Sequence, residues 1–199
     1  MNEARKIVPR IKELLKWILK NIKKISLIGG PSTGKSTLAE NIGRKLHLPI
    51  IHMDGINYEP GWIQVDKEKR DTIIRNYIEN PEWIMEGTYT STLKERLEKS
   101  DLVIFLDYST FIKMKGIFQR TIEYRGKERK DIPGCKEKME WNFIKFTLQW
   151  NKKKRGKIIN ILNGLEENKV IIFKTRKELN NWYEKNFNDK VKTNYLKEV

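Results

Sequence analysis

The chain has 199 residues, enough for one α/β domain with a sizeable hydrophobic core and short for two. Apolar residues make up 38 % of it and form clear runs, which excludes a disordered chain, and no run is long enough to cross a bilayer. The one cysteine, Cys135, excludes an internal disulfide, and the lack of a recognisable secretory signal favours a cytoplasmic protein. The net charge of +15 favours polyanionic partners (nucleotides, nucleic acid or an anionic membrane surface), and the alternative is a solvated basic surface.

Residues 1–23 predict a basic amphipathic helix. Apolar side chains recur every three or four positions between residues 7 and 22, and eight Lys or Arg residues fall within residues 1–24. We expect this helix to pack against the rest of the chain or to form a homodimer with a second copy. Binding to a membrane surface is the less favoured alternative.

Short apolar runs alternate with helical patterns through residues 24–187. Strands are predicted at residues 25–28, 48–53, 83–85, 102–106 and 170–173. Helices are predicted at residues 35–46, 66–80, 91–99, 109–124, 137–152, 157–165 and 178–187. Loops are predicted at residues 55–65 and 125–136, and a polar tail at 188–199. This alternation predicts a single domain with a parallel sheet covered by helices on both faces.

A glycine-rich segment follows the first predicted strand and precedes a predicted helix. It reads GGPSTGKS and matches the pattern G-x-x-x-x-G-K-[ST]. Such a loop turns backbone N–H groups toward a phosphate, at the positive end of the following helix dipole. Lys35 would reach the β- and γ-phosphates of ATP, and the Ser36 hydroxyl would bind Mg²⁺. The alternative is a glycine-rich turn without a ligand, and the predicted ATP-binding residues are Gly29, Gly30, Pro31, Ser32, Thr33, Gly34, Lys35 and Ser36.

Three carboxylates follow predicted strands, at the edge of a parallel sheet where ligands bind. They are Asp54, Glu86 and Asp107. We predict that Asp54 orients and activates the acceptor and that Glu86 binds Mg²⁺ and its waters. For Asp107, capping of the next helix is the favoured interpretation.

Basic residues are concentrated between the helices predicted at 109–124 and 137–152. We predict that about residues 120–152 form a lid that closes over ATP, and the alternative is a solvated charged loop. Its catalytic cations would be Arg120, Arg125 and Arg129, which would stabilise charge on the transferring phosphoryl group. Arg176 follows the last strand, where it would flank a purine base, and Arg155 is a further candidate.

Two aromatic residues, Tyr58 and Trp62, follow Asp54 closely in the sequence. They would form an aromatic wall for the acceptor, which a nucleobase would suit. The alternative is a small hydrophobic cluster under a loop. Cys135 lacks a neighbouring histidine signature, so no catalytic role is predicted for it.

These segments together resemble one known group. The ordered motifs GGPSTGKS, HMDGINYEPGW, WIMEGTY, DLVIFLD and EYRGKERKDIPGCKEK look like the DNA-topology-modulation (FlaR-related) proteins, which are similar to adenylate kinase. The resemblance covers residues 24–187 and implies a three-layer α/β/α P-loop NTPase fold, with five parallel strands in the order 2-3-1-4-5 and a small helical lid. It also implies ATP and Mg²⁺ as cofactors and extends the ATP-binding segment to Thr37. Glu86 stands where aspartate is commoner in the group, and Tyr58 where tryptophan is commoner.

The favoured function is an ATP-dependent kinase that transfers the γ-phosphoryl group to a small acceptor, a nucleoside or a nucleotide. The alternative is a nucleotide-binding regulator of DNA topology that binds DNA and has weak or no kinase activity. Against it, the sequence carries no helix-turn-helix, zinc-finger or RNA-binding signature. A kinase fold that only binds nucleoside triphosphate is the third interpretation.

Overall fold

Residues 21–129, 131–137 and 140–187 are described by a computed structural model. The predicted N-terminal helix, except for its last three residues, and the predicted tail at 188–199 lie outside them. In the described part of the chain, no helix is both long enough and apolar enough to cross a membrane.

Five parallel strands form the central sheet. They are β1 (Lys24–Gly29), β2 (Ile50–His52), β3 (Trp83–Glu86), β4 (Leu102–Leu106) and β5 (Val170–Phe173). The strands lie in the order β2-β3-β1-β4-β5, which confirms the predicted order 2-3-1-4-5. Leu27 of the central strand pairs with Glu86 of β3 on one side and with Ile104 of β4 on the other. The carboxyl ends of these strands therefore meet at one edge of the sheet, where a ligand site is expected.

The helices of the described residues connect and cover these strands. They are α1 (Lys35–Leu46), α2 (Met53–Asn57), α3 (Lys67–Glu79), α4 (Leu93–Glu98), α5 (Thr110–Tyr124), α6 (Trp141–Trp150), α7 (Gly156–Leu162) and α8 (Arg176–Phe187). A π-helical turn at Asn151–Arg155 joins α6 to α7 without a break. The two helices predicted at residues 137–152 and 157–165 are therefore continuous rather than separate. A short 3₁₀ helix at Glu167–Lys169 precedes β5.

The hydrophobic core lies on both faces of the sheet because successive strand residues point to opposite sides. In β4, Ile104 and Leu106 face one side, where they pack with residues of α1 and α8. Val103 and Phe105 face the other side and pack with residues of α4, α6 and α7. The three-layer α/β/α architecture predicted from continuous apolar strands is thereby confirmed.

Two helices begin at residues whose side chains cap them. The Asp66 carboxylate accepts hydrogen bonds from the backbone N–H groups of Glu68 and Lys69 at the start of α3. The Ser109 hydroxyl oxygen accepts from the backbone N–H of Ile112 at the start of α5. The cap of α5 is therefore Ser109, and the capping role favoured for Asp107 is wrong.

Two segments predicted as loops contain short antiparallel hairpins instead. The first, which we call the Trp62 hairpin, pairs Tyr58–Glu59 with Ile63–Gln64, and α2 precedes it. The second, the Cys135 hairpin, pairs Glu128–Arg129 with Ile132–Lys136. Their strands are short and polar, so they lack the apolar alternation that reveals a strand in sequence. Contacts between the two hairpins support them, since the Gly61 backbone N–H donates to the Gly134 carbonyl at 3.0 Å.

Candidate active site

A large cleft lies at the carboxyl edge of the sheet. It encloses about 2480 Å³, more than the roughly 300–1,000 Å³ of a pocket for one small ligand, so it has room for a nucleotide and a second molecule. The glycine-rich loop forms one side of the cleft, and the segment after β2 forms another. The predicted ATP-binding residues that line it are Gly29, Pro31, Ser32, Thr33, Gly34, Lys35, Ser36 and Thr37.

The glycine-rich loop leaves β1 and turns sharply into α1. Gly34, directly before α1, has φ 87° and ψ 20°, a left-handed conformation that glycine adopts without steric cost. The Lys35 ammonium donates to the Gly30 carbonyl at 2.8 Å, and the Thr33 hydroxyl donates to the same carbonyl at 3.0 Å. Burial lowers the pKa of Lys35, and the charges of Glu86 and Asp54 oppose this shift. The loop backbone therefore curves around the Lys35 ammonium at the N-terminus of α1. This is the arrangement that binds phosphate.

Helix α5 packs closely against the glycine-rich loop. The Lys113 side chain is buried, and its ammonium lies 4.2 Å from the ring centroid of Trp150 and hydrogen-bonds to Asn151. Burial lowers the pKa of Lys113 to about 8. A Cβ built on Gly30 would lie 2.6 Å from Lys113 Cδ, and one built on Gly116 would clash with the Ser32 carbonyl oxygen. The helix therefore contacts the loop backbone closely because position 116 has no side chain.

Replacing Gly116 with alanine should push the loop and helix α5 apart. The added methyl group would meet backbone, which cannot move aside as a flexible side chain can. We expect Gly116→Ala to lower the free energy of unfolding by about 1–3 kcal/mol and to weaken binding of MgATP. Thermal unfolding and calorimetry measure the two effects.

Gly156 provides the matched control for this substitution. It too lies in a helical segment, has φ −59°, and a Cβ built on it has no neighbour within 4 Å. Gly156→Ala should leave MgATP binding unchanged and should be neutral or slightly stabilising. Wild-type MgATP affinity in Gly116→Ala would contradict the proposed contact.

Two oxygen ligands suited to Mg²⁺ lie together beside the loop. The Ser36 hydroxyl donates to Glu86 Oε1 at 2.9 Å, and Glu86 is 2 % exposed at the end of β3. His52 Nδ1 lies 2.9 Å from the same oxygen, and this hydrogen bond raises the pKa of His52. The predicted metal residues Ser36 and Glu86 are therefore neighbours.

Asp54 lies two residues after the end of β2, in the first turn of α2. Its Oδ1 accepts a hydrogen bond of 2.7 Å from the Tyr89 hydroxyl. Burial, together with the charge of Glu86, raises the pKa of the Asp54 carboxyl group. A carboxylate in such an environment is a stronger proton acceptor than a solvated one, as activation of a hydroxyl requires.

Two of the three predicted lid arginines line the cleft. Arg120 donates to Glu137 at 3.0 Å, and Arg129 donates to both oxygens of Asp131 at 3.0 and 2.5 Å. Asp131 in turn lies 3.4 Å from the Ser36 hydroxyl, so the Cys135 hairpin contacts the glycine-rich loop. Arg125, at the C-terminal end of α5, is exposed and is not among the residues that line the cleft.

Two further basic residues occupy different places. Arg176 lines the cleft, where its guanidinium lies near Gly116 and Ser32 on the side expected for the base. Arg155 instead pairs with Asp107, donating to its two oxygens at 2.8 and 2.7 Å. This ion pair explains the position of the Asp107 side chain, so no ligand is needed to explain it.

Several residues at the cleft were missed by sequence reasoning. Thr88 binds the start of the glycine-rich loop, because its hydroxyl donates to the Gly29 carbonyl at 2.8 Å and accepts from the Gly29 N–H at 3.0 Å. Tyr89, Asp131 and Glu137 hold Asp54 and the two arginines. The WIMEGTY motif contains Thr88 and Tyr89, and their position just past a strand end is the signal that could have indicated them.

Comparison with known proteins identifies the fold. No protein-family model matches the chain, and no curated protein matches it. A gluconokinase from Sinorhizobium meliloti 1021 aligns at 15 % identity with a TM-score of 0.53, over 83 % of this chain and 89 % of that one. A shikimate kinase from Acinetobacter baumannii, solved in complex with shikimate, aligns at 16 % identity with a TM-score of 0.55, over 85 % of this chain and 95 % of that one.

At these identities the likeness establishes the fold. Membership of the DNA-topology-modulation group stays a prediction, since it rests on the sequence motifs. The sheet order, the loop between β1 and α1 and the two structural neighbours agree on one architecture. The chain has the fold of the P-loop kinases.

Proposed function

We propose that this chain is an ATP- and Mg²⁺-dependent kinase that transfers the γ-phosphoryl group to a hydroxyl of a small acceptor. The observation that carries the proposal is the meeting of three sets of groups in one cleft. They are the loop with Lys35 and Ser36, the carboxylates Asp54 and Glu86, and two arginines, one from α5 and one from the Cys135 hairpin. The sequence motifs favour a nucleoside or nucleotide acceptor and membership of the DNA-topology-modulation group.

The nucleotide would bind with its phosphates on the glycine-rich loop. The loop's N–H groups and Lys35 would bind the β- and γ-phosphates, and the base would lie near Arg176. Arg120 and Arg129 would move from Glu137 and Asp131 to the γ-phosphate as it arrives. We propose that about residues 120–152 act as the lid, with the Cys135 hairpin as the part that contacts the loop.

The residues beside the loop fit Mg²⁺, a hard cation that prefers oxygen ligands. Within the described residues no cluster of three or more His, Cys, Asp and Glu is arranged to hold a metal ion. Mg²⁺ at kinase sites does not need one, because it binds one or two protein groups together with waters and phosphates. Ser36, and Glu86 through water, would hold the ion, which when bound neutralises charge on the β- and γ-phosphates.

Asp54 would position the acceptor and accept its proton. The acceptor oxygen forms a bond to the γ-phosphorus while the bond from that phosphorus to the β–γ bridging oxygen breaks. ADP leaves with the electron pair of the broken bond, and the hydroxyl proton passes to the Asp54 carboxylate. Tyr89 fixes the orientation of that carboxylate through the hydrogen bond to Oδ1.

A coupled assay of ADP release against a panel of acceptors tests the proposal. The panel comprises nucleosides, nucleoside monophosphates, sugars and sugar acids, each with MgATP, and acceptor-dependent ADP release is the expected result. Calorimetry with MgATP alone precedes the assay. No heat at millimolar MgATP, or no ADP release with any acceptor, would contradict the proposed function.

A further inference from the structure

The acceptor half of the cleft surrounds Asp54 with aromatic rings. Tyr89 donates its hydroxyl to Asp54, and Tyr58 and Trp62 of the Trp62 hairpin meet edge to face with ring centroids 5.3 Å apart. All three aromatic residues line the cleft. Rings of this kind stack on planar bases and pack against sugar rings, while the carboxylate accepts from a hydroxyl.

Arg70, a buried arginine in the acceptor half of the cleft, forms an ion pair with Asp71. Arg70 is 7 % exposed and donates through Nε and one terminal nitrogen to Asp71 Oδ1, at 2.9 and 2.6 Å. Its other terminal nitrogen donates to Asn57 Oδ1 at 2.9 Å, and its guanidinium lies 5.0 Å from the ring centroid of Tyr89. Because these partners already use the donors and the charge, Arg70 has little left to bind an anionic group on the acceptor.

Further carboxylates surround the same space. Arg129, whose guanidinium lies 5.6 Å from the ring centroid of Trp62, is bonded to Asp131 and lies 3.9 Å from Glu137. Lys67 lines the rim, where its side chain is exposed and solvated. If Arg129 leaves Asp131, its proposed destination is the γ-phosphate, and Arg70 stays paired with Asp71. A phosphate or carboxylate on the acceptor would therefore lose its water beside Asp54 without gaining a buried cation of its own.

From this arrangement we infer that the acceptor is an uncharged ring-bearing alcohol, a nucleoside rather than a nucleoside monophosphate. The inference rests on the proposed function, and it restricts the class of acceptor to molecules without a charge. The aromatic rings bind the ring, Asp54 binds the reacting hydroxyl, and the Arg70–Asp71 pair offers an anionic acceptor no unpaired buried positive charge.

Calorimetry on the full chain with Mg²⁺ and a non-hydrolysable ATP analogue tests this inference. The probes are matched pairs: adenosine, guanosine, cytidine, uridine and thymidine, each against its 5′-monophosphate. We expect at least one nucleoside to bind about tenfold or more tightly than its monophosphate, because desolvating the phosphate is not offset. Tighter binding of the monophosphates, or no binding by any nucleoside, would overturn the inference.

Turnover separates this inference from the proposed function. Nucleoside binding without any phosphoryl transfer would refute the kinase proposal and leave the acceptor class standing. Transfer to monophosphates in preference to nucleosides would refute the acceptor class and leave the kinase proposal standing.

A single substitution should change the charge preference. Asp71→Asn keeps the oxygen that accepts from Arg70 but removes its charge, so binding of monophosphates should strengthen about tenfold while nucleoside binding changes little. Glu95→Gln is the control, because it also removes the charge of a carboxylate that pairs with an arginine, Arg75, but at an exposed position. Unchanged monophosphate binding in a folded Asp71→Asn variant would count against the inference.

The wild-type protein offers a second readout if that variant fails to fold. Affinity for an uncharged acceptor should not depend on ionic strength between about 50 and 500 mM, whereas affinity for an anion held by cations falls with salt. A steep salt dependence of acceptor binding would overturn the inference.

Discussion

Lys35→Ala should reduce phosphoryl transfer by about 10³-fold or more. The Lys35 ammonium is bonded to the Gly30 carbonyl at 2.8 Å, within the loop that would bind the β- and γ-phosphates. Removing it deletes the cation nearest to the charge that develops on the transferring group. Steady-state kinetics with the best acceptor from the panel measures the loss.

Lys45→Ala is the matched control. Lys45 lies in the last turn of the same helix and is exposed, so its removal should change neither turnover nor stability appreciably. Circular dichroism and thermal unfolding should show that Lys35→Ala remains folded. Phosphoryl transfer at the wild-type rate in that variant would remove the basis of the proposed function.

Asp54→Asn should lower kcat by about 10²–10⁴-fold while MgATP binding stays close to wild type. The amide keeps an oxygen that can accept from Tyr89, but it cannot take the proton of the acceptor hydroxyl. Measuring kcat together with the dissociation constant for MgATP separates the two effects. Glu98→Gln, in an exposed pair with Lys94 on α4, is the control and should leave both unchanged.

The pH dependence of kcat gives an independent check on Asp54. Burial and the charge of Glu86 raise the pKa of this carboxyl group, so it stays protonated to a higher pH than a solvated aspartate. Because only the ionised form accepts a proton, kcat should fall as the pH drops through this raised pKa. The same acid limb in Asp54→Asn would show that another group is responsible.

The central sheet and the glycine-rich loop were predictable because their signals are local. The run Leu102–Leu106 is apolar throughout, as a strand buried on both faces must be, and Lys35 and Ser36 follow Gly34 at fixed spacing. The positions of Asp54 and Glu86 were predictable for the same reason, since Glu86 ends a strand and Asp54 closely follows one. Which residues lie beside them depends on the order of the strands in the sheet, and that order was predicted from the resemblance.

The remaining contacts of the site depend on residues far apart in the chain. Ser36 and Asp131 are 95 positions apart and Asp54 and Tyr89 are 35 apart, so no local pattern marks either pair. The Arg70–Asp71 pair is adjacent in sequence, but only the fold shows that both side chains are buried beside the acceptor. The Cys135 hairpin was missed because its strands are short, and because its contacts with the Trp62 hairpin join residues as far apart as Trp62 and Cys135, which are 73 positions apart.

Those contacts between hairpins have a mechanical consequence for entry to the cleft. The Trp62 N–H lies 3.3 Å from Cys135 Sγ and its indole N–H donates to the Lys136 carbonyl at 3.0 Å, beside the bond between Gly61 and Gly134. We expect the two hairpins to move as one unit, because separating them would break these three hydrogen bonds. Any opening of the cleft at this end would therefore involve both hairpins together.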